Sequence, residues 1–323
     1  MPRPAHSTRP PTSPRRSRSE AGFSLPELLI ATALTMIVTG AATQGLMQMT
    51  VAQKTIWNRA EMHSGVRSAT ELLQQEIGQA GRVTLPAPVT TSSAVAAGGR
   101  TFTVNSVDGM FAGEILVLGA GATSESVVIV GIDTASNRLT VDNTGTGSGT
   151  GVYMAHSTGA PLSVYGGFSA GIVPTTVANG STASVLKLFG DVNSDGNMLY
   201  VEYTCDTANG RLLRNVMAWN AGAKAAASDA QLLLSNIVPN PGGAPCFTYQ
   251  EQAVATTTFV TDVAITLTAR TEQLDVVTRQ YQYETKALLN VSPRNVFEVW
   301  ELASQGASDR VQPTPASITG LLP

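Results

Sequence analysis

The sequence predicts an α+β protein: one long N-terminal helix, then an antiparallel β body. Three observations carry that reading. From Leu28 to Gln53 there are 26 residues without a charge, and about 20 apolar residues suffice to span a bilayer as a helix. Next, apolar residues recur at Met62, Val66, Ala69, Leu73, Ile77 and Ala80. Steps of three and four place them on one helical face. Beyond Pro88 the texture turns to short β-branched stretches broken by Gly, Asn and Asp, the signature of strands and turns.

The chain begins with a basic segment. Residues 1–22 hold Arg3, Arg9, Arg15, Arg16 and Arg18 against Glu20 alone, a net +4. The whole chain carries −3, so the remainder carries −7. An acidic body is a poor surface for neutralising phosphates, so no nucleic-acid partner is expected. The Pro/Ser/Arg-rich leader cannot build a core. Basic residues before a spanning helix stay in the cytoplasm, which places the body outside.

The apolar run is too long for a secretory h-region of about 7–15 residues, and its small residue, Gly22, precedes it instead of following it. One acid, Glu27, sits at its head. A carboxylate at a bilayer centre costs about 2.5–3.5 kcal/mol. Two plain readings are a headgroup-level position and a first-turn acid that favours the helix N-terminus.

Basic leader, "GFSLPELLIA" from Gly22 to Ala31, and long apolar helix together resemble the type III signal of type IV prepilins and pseudopilins. The resemblance spans about Ser19–Val51. It implies a cut by prepilin peptidase between Gly22 and Phe23, and N-methylation of Phe23. It makes Glu27 the fifth mature residue, the family's glutamate, which pairs with the N-terminal amine of a neighbouring subunit or its own. The implied partners are the peptidase, other pilin or pseudopilin subunits, and the inner membrane before assembly. The proline that many major pilins carry in this helix is replaced by Gln44, flanked by Gly40 and Gly45.

The helix is expected over 23–81, its membrane part at about 24–50, with Gly81 and Pro86 as stop signals. Arg67 and Glu71 form an i,i+4 pair on another face. A small β module is expected over 98–165, inserted before the main sheet, with "TGTGSGTG" (Thr144–Gly151) as a flexible loop. The antiparallel body is expected over 166–303. There Asn209-Gly210 signals a hairpin between Leu199–Cys205 and Arg211–Met217. Val263, Ile265 and Leu267, and again Tyr281, Tyr283, Thr285, Ala287 and Leu289, alternate as half-buried strands do. A polar, Pro-bearing tail from 304 to 323 is expected to be mobile.

Two site readings concern the body. "DVNSDGNMLYVE" (Asp191–Glu202) satisfies the D-x-[DN]-x-[DN]-G-x5-E calcium pattern. Asp191, Asn193, Asp195, the Asn197 carbonyl and Glu202 would supply hard oxygens to Ca2+, with Gly196 at the sharp turn. The competing reading is a polar β-turn, because "NMLYVEY" reads as strand where a calcium hand needs a helix. Cys205 and Cys246 are the only cysteines. In an exported domain they form a disulfide; otherwise they are two buried thiols.

No catalytic constellation stands out. His6, His63 and His156 are the only histidines, and His156 reads as a surface or half-buried residue. No serine sits in a nucleophile elbow, and no phosphate-binding or zinc spacing occurs. The expectation is a structural subunit, not an enzyme. "LLQQEIGQAGRV" (Leu72–Val83) and "SPRN" (Ser292–Asn295) resemble the large minor pilins called PilW and the type II secretion pseudopilin J. The resemblance implies a minor pilin in a tip or priming complex, found first in the inner membrane and then in a pilus or pseudopilus at the cell surface. The alternatives are a secretion pseudopilin, or a membrane-anchored β-rich adhesin or binding module.

Overall fold

The computed structural model of the protein describes residues 22–323; the leader expected over residues 1–22 lies outside them except for Gly22. Helix α1 runs unbroken over Leu25–Gln79, through Gly40 and Gly45. The chain divides into two units, the first ending at Lys54 and the second running from Thr55 to Pro323. In the first unit every described residue up to Thr50 is exposed.

In the second unit the helical stripe is buried. Met62, Val66, Ala69, Leu73, Ile77 and Ala80 all lie in one core cluster, and full burial of a leucine or isoleucine contributes about 1.5–3 kcal/mol. The helix stops at Gly81, whose φ of +81° suits glycine. A Cβ there would lie 2.7 Å from Cγ2 of Val296.

Six strands follow: β1 (Val89–Thr90), β2 (Thr101–Thr103), β3 (Ile115–Leu118), β4 (Glu125–Asp133), β5 (Arg138–Asp142) and β6 (Pro161–Val164). They pair in the order β1-β6-β3-β4-β5-β2. The two ends then meet. Thr91 bridges Val104, and backbone bonds run from Ser92 N to Thr103 O (2.8 Å) and from Asn105 N to Thr90 O (3.1 Å). The sheet is thus closed into a small barrel, which removes its free edges. Its interior is apolar, with Phe102, Leu116, Leu118, Ile129, Leu139 and Val141 buried. Its first strand lies upstream of the boundary at residue 98 read from the sequence.

The body contains β7 (Gly167–Phe168), β8 (Val185–Gly190), β9 (Leu199–Asp206), β10 (Arg211–Ala218), β11 (Gln231–Ser235), β12 (Ile237–Val238), β13 (Phe247–Val254), β14 (Thr257–Arg270) and β15 (Tyr283–Val291). One antiparallel sheet has the order β11-β10-β9-β8; the other has β12-β14-β13, with β15 on β14. Leu188, Val201, Tyr203, Leu212, Val263, Ile265 and Leu267 from both sheets share the core of the α1 stripe. The hairpin expected at Asn209-Gly210 joins β9 to β10.

Three sequence expectations are corrected. In β15 the alternation was read on the wrong face: Tyr283, Thr285 and Ala287 are exposed, whereas Leu288 packs on the core. A register shift opposite Val263–Ile265 places Leu288 and Val291, three apart, on the same core. Second, the body expected as antiparallel sheet over 166–303 ends in a helix, α2 (Arg294–Ser304), that buries Val296 and Val299 against Phe259. Third, the tail from 304 is folded, not mobile. Its strand β16 (Val311–Gln312) pairs in parallel with β7. Its helix α3 (Ala316–Leu321) buries Ile318 and Leu321 in a cluster with Phe168, Phe189, Tyr200 and Trp219.

Candidate functional site

The head of α1 is the candidate processing and assembly site. Gly22, Phe23 and Ser24 precede the helix in non-helical chain, and Phe23 is 86% exposed. Leu28 N–H donates to the Ser24 carbonyl at 3.1 Å, the first helical bond. Glu27 accepts the Ser24 backbone N–H at 2.9 Å and the Ser24 hydroxyl at 2.8 Å. One carboxylate thus satisfies an otherwise unpaired donor of the first turn. Among the described residues these are Glu27's hydrogen-bond partners, and both sit three positions away. The remaining exposed surface of this segment is apolar: Leu25, Leu28, Leu29, Ile30, Leu34 and Ile37 are all more than half exposed.

Further along the same helix a second glutamate is treated differently. Glu76 is 1% exposed. It accepts hydrogen bonds from the Tyr203 hydroxyl and from both Nε (3.2 Å) and Nη2 of Arg214. The fork of Arg214 matches the carboxylate. Burial disfavours the Arg214 cation, but its bonds to Glu76 prevail and hold its pKa above the usual range. Burial, then the neighbouring Glu76 charge, pushes the Tyr203 phenol upward. The network pins α1 to β9 and β10. The sequence signal for it was a lone acid inside an apolar stripe.

The disulfide is formed. Cys205 in β9 and Cys246 at the head of β13 are bonded, with Cα atoms 6.4 Å apart, and so connect the two sheets under α1.

Glu202 lies apart from the other residues of the calcium pattern. Its carboxylate accepts the Tyr200 hydroxyl at 2.6 Å and pairs with Lys224 at 2.7 Å and Lys187 at 3.4 Å. Glu202 faces Lys187 across the β8–β9 ladder, three pairs from the Gly190–Leu199 end. That is about 10 Å along a strand. The loop itself is a polar turn. Asp191 accepts the N–H groups of Asp195 (3.0 Å) and Gly196 (3.3 Å), and Arg82 lies 3.7 Å from it. Asp195 bonds Asn197 instead of converging with Asp191. Among the described residues no group of three or more His, Cys, Asp or Glu side chains is placed to hold a metal ion.

The barrel holds charged groups that spacing did not reveal. His156 is 5% exposed, not a surface residue. Its Nε2 lies 2.7 Å from Glu125, which also accepts the N–H groups of Tyr153 (2.6 Å) and Met154 (2.9 Å). Burial opposes the Glu125 carboxylate, yet His156 and these N–H groups hold its pKa below the usual range. The Gly/Thr loop is wrapped around Asp142, which accepts N–H groups from Thr144 (2.9 Å), Gly145 and Gly149 (3.2 Å). Glu114 is fully buried, with one oxygen lacking a hydrogen-bond partner. Burial pushes its pKa up to about 8.

Comparison with known proteins bears on the head of α1. The family model of the prokaryotic N-terminal methylation motif matches residues 17–43. No curated protein and no solved structure matches the chain. The matched segment contains Gly22, Phe23 and Glu27, and it opens the helix that is long and apolar enough to cross a membrane. Over residues 17–43 the chain is thus similar to the type IV prepilins and pseudopilins, whose N-terminal methylation motif it carries at the head of a helix that leads into antiparallel sheets.

Proposed function

We propose that the chain is a minor subunit of a type IV pilus, held in a tip or priming complex by its N-terminal helix. The peptidase cuts between Gly22 and Phe23, and Phe23 is methylated. The +4 leader keeps the N-terminus in the cytoplasm, and the body lies outside. The observations that support the reading are an apolar first half of α1, exposed throughout up to Thr50 and headed by the methylation motif, and a body that carries an additional closed barrel. A major subunit must repeat densely along a filament, and such a barrel on every copy obstructs that. A low-abundance position has room for it.

Glu27 gives the helix its register. Among the described residues its carboxylate is hydrogen-bonded to Ser24, one step beyond Phe23. Cleavage creates a charged amine at Phe23. Opposite charges attract strongly where water is scarce, provided the attraction offsets lost hydration. The amine of an adjacent subunit or of the chain itself is the fitting partner.

The test is the intact mass and N-terminal sequence of the protein from native membranes and from sheared filaments. A chain starting at methylated Phe23 in the filament fraction is expected. A chain starting at Met1 overturns the processing. Processed protein that stays in the membrane, with secretion lost on deletion, places it in a secretion pseudopilus instead. Glu27→Ala is expected to insert and be cut but not to enter filaments; normal incorporation refutes the role of Glu27.

A further inference from the structure

Apolar side chains that reach the surface of the body are concentrated in one place. From Thr55 onward the described residues expose eleven large apolar side chains, and six of them are Ile56, Trp57, Leu274, Val276, Val277 and Tyr283. These belong to one turn of α1 and to the segment between β14 and the start of β15. Asn58 joins the two pieces. Its Nδ2 donates to the Gln273 carbonyl at 2.8 Å, and Gln273 N–H donates back to its Oδ1 at 3.4 Å. His63 pairs with Glu284 beside Tyr283.

The 271–283 segment is built, not loose. Asp275 is 4% exposed and accepts the N–H groups of Val277 and Thr278 and the Gln282 side chain, each at 2.9 Å. The bond from Thr278 leads those that hold the Asp275 carboxyl below its usual range. Backbone bonds from Asp275 to Gln280 and from Thr271 to Gln282, both 2.9 Å, close the turn. A buried aspartate therefore fixes a turn whose outer residues are valines, with Val277 77% exposed. Single exposed apolar residues are ordinary; a grouped set on a fixed turn marks an interaction surface.

We propose that this surface is a foot that rests in the membrane interface, with Trp57, Val276 and Val277 seated among phospholipid headgroups and upper acyl carbons. The inference rests on Leu28–Gln53 being the spanning segment. Trp57 lies four residues past Gln53, a rise of about 6 Å. That matches one headgroup layer, about 5–7 Å from a core of ~30 Å within a bilayer of ~40–45 Å. Tryptophan concentrates at that level. Arg59 and Arg279 are exposed beside these residues and supply cations for lipid phosphate. The foot sets how the body stands on the bilayer before assembly, and it must release when the subunit leaves the membrane.

The test uses the full chain in vesicles of phosphatidylethanolamine and phosphatidylglycerol. Val277→Cys is labelled with an environment-sensitive fluorophore, Cys205 and Cys246 being tied in the disulfide. Spin labels on the lipid headgroup and upper acyl chain act as quenchers. Leu34→Cys in the apolar run and Ser148→Cys on an exposed barrel loop serve as references. Quenching at position 277 by the shallow labels, and none at 148, is expected. Adding Val276→Asp should cut the quenching at 277 several-fold. A label at 277 no more quenched than at 148, while 34 is quenched, overturns the foot and leaves the spanning helix standing. No quenching at 34 removes both. A label at 277 shielded only by added pilin subunits, without lipid quenching, assigns the surface to protein and refutes the proposal.

Discussion

Helix α1 presents two surfaces to two surroundings. From Leu28 to Thr50 it is apolar on every side and every residue is exposed. From Met62 to Ile77 only a stripe is apolar, and that stripe is buried. A helix hydrophobic all round is made for a membrane or a large core; one with a stripe is made for one packing face. The two glutamates repeat the contrast. Glu76 is completed within the chain by Tyr203 and Arg214. Glu27, among the described residues, is bonded to Ser24 of its own first turn and is exposed to another molecule. The second half of the helix is satisfied by folding. The first half is left for a bilayer and then for other subunits.

The sharpest way to break this comparison is to disturb each glutamate separately. Arg214→Ala strands a buried carboxylate, and losing one partner of such a pair costs about 3–5 kcal/mol. Denaturant unfolding of the full chain in detergent should show a midpoint lowered accordingly. Glu27→Ala should leave the same midpoint unmoved while abolishing assembly. Equal losses from both variants would show that the two acids serve one structural purpose and would end the contrast.

The floor under the buried half gives the next effect. The Cys205–Cys246 bond spans 41 positions, and removing a native disulfide of an exported domain costs about 2–5 kcal/mol. The Cys205→Ser/Cys246→Ser chain should unfold at a correspondingly lower denaturant concentration. Hydrogen exchange should rise at β8 and β13, where the two sheets meet. It should not change along Leu28–Thr50. Faster exchange in the apolar half would show that the two halves of α1 are not independent.

How much of this could be read from residues differs by range. The stripe from Met62 to Ala80 was legible because 3.6-residue periodicity is local, and the disulfide because the chain holds one pair of cysteines. Helix α2 carries a local signal, with Val296, Val299, Trp300 and Ala303 following Ser292-Pro293 at helical spacing. The tail hid Ile318, Leu321 and Leu322 among polar residues. Alternation alone could not show which residues of β15 reach the core, because Leu288 and Val291 do so three positions apart, across a register shift. Long-range contacts were out of reach. Gln312 bonds the backbone of Ile115 across 197 positions, and barrel closure joins Thr91 to Val104. The calcium pattern fixes spacing along the chain and not the direction of each side chain. In β9 successive side chains alternate faces, and Glu202 was carried to the lysine pair.

The barrel provides another buried acid, one whose burial links stability to pH. Glu114 has its pKa raised by burial to about 8, whereas in the unfolded chain it titrates near 4.5. Below that lower value both states are protonated and the group costs nothing. Between about pH 4.5 and 8 the unfolded state alone releases the proton, so stability falls as pH rises, by about 1.4 kcal/mol per unit. Above 8 the loss is complete and constant. Glu114→Gln should flatten that slope in denaturant titrations at pH 5, 6.5 and 8. An unchanged slope would show that the acid is solvated.

The smallest effect is expected at the Asp191–Glu202 segment. Glu202 belongs to Lys187, Lys224 and Tyr200, and Asp191 already accepts two backbone N–H groups. A calcium ion needs six to eight oxygens at about 2.3–2.6 Å, and the turn does not converge enough of them. Millimolar calcium and excess chelator should therefore give the same thermal midpoint. Asp191→Ala should lower that midpoint by the same amount in both conditions, through the lost bonds to Asp195 and Gly196. A calcium-dependent rise that disappears in Asp191→Ala would restore the metal reading. It would also require the β8–β9 turn to rearrange around the ion, with Glu202 leaving its lysines. A rise that persists in Asp191→Ala would direct the search for the ion elsewhere.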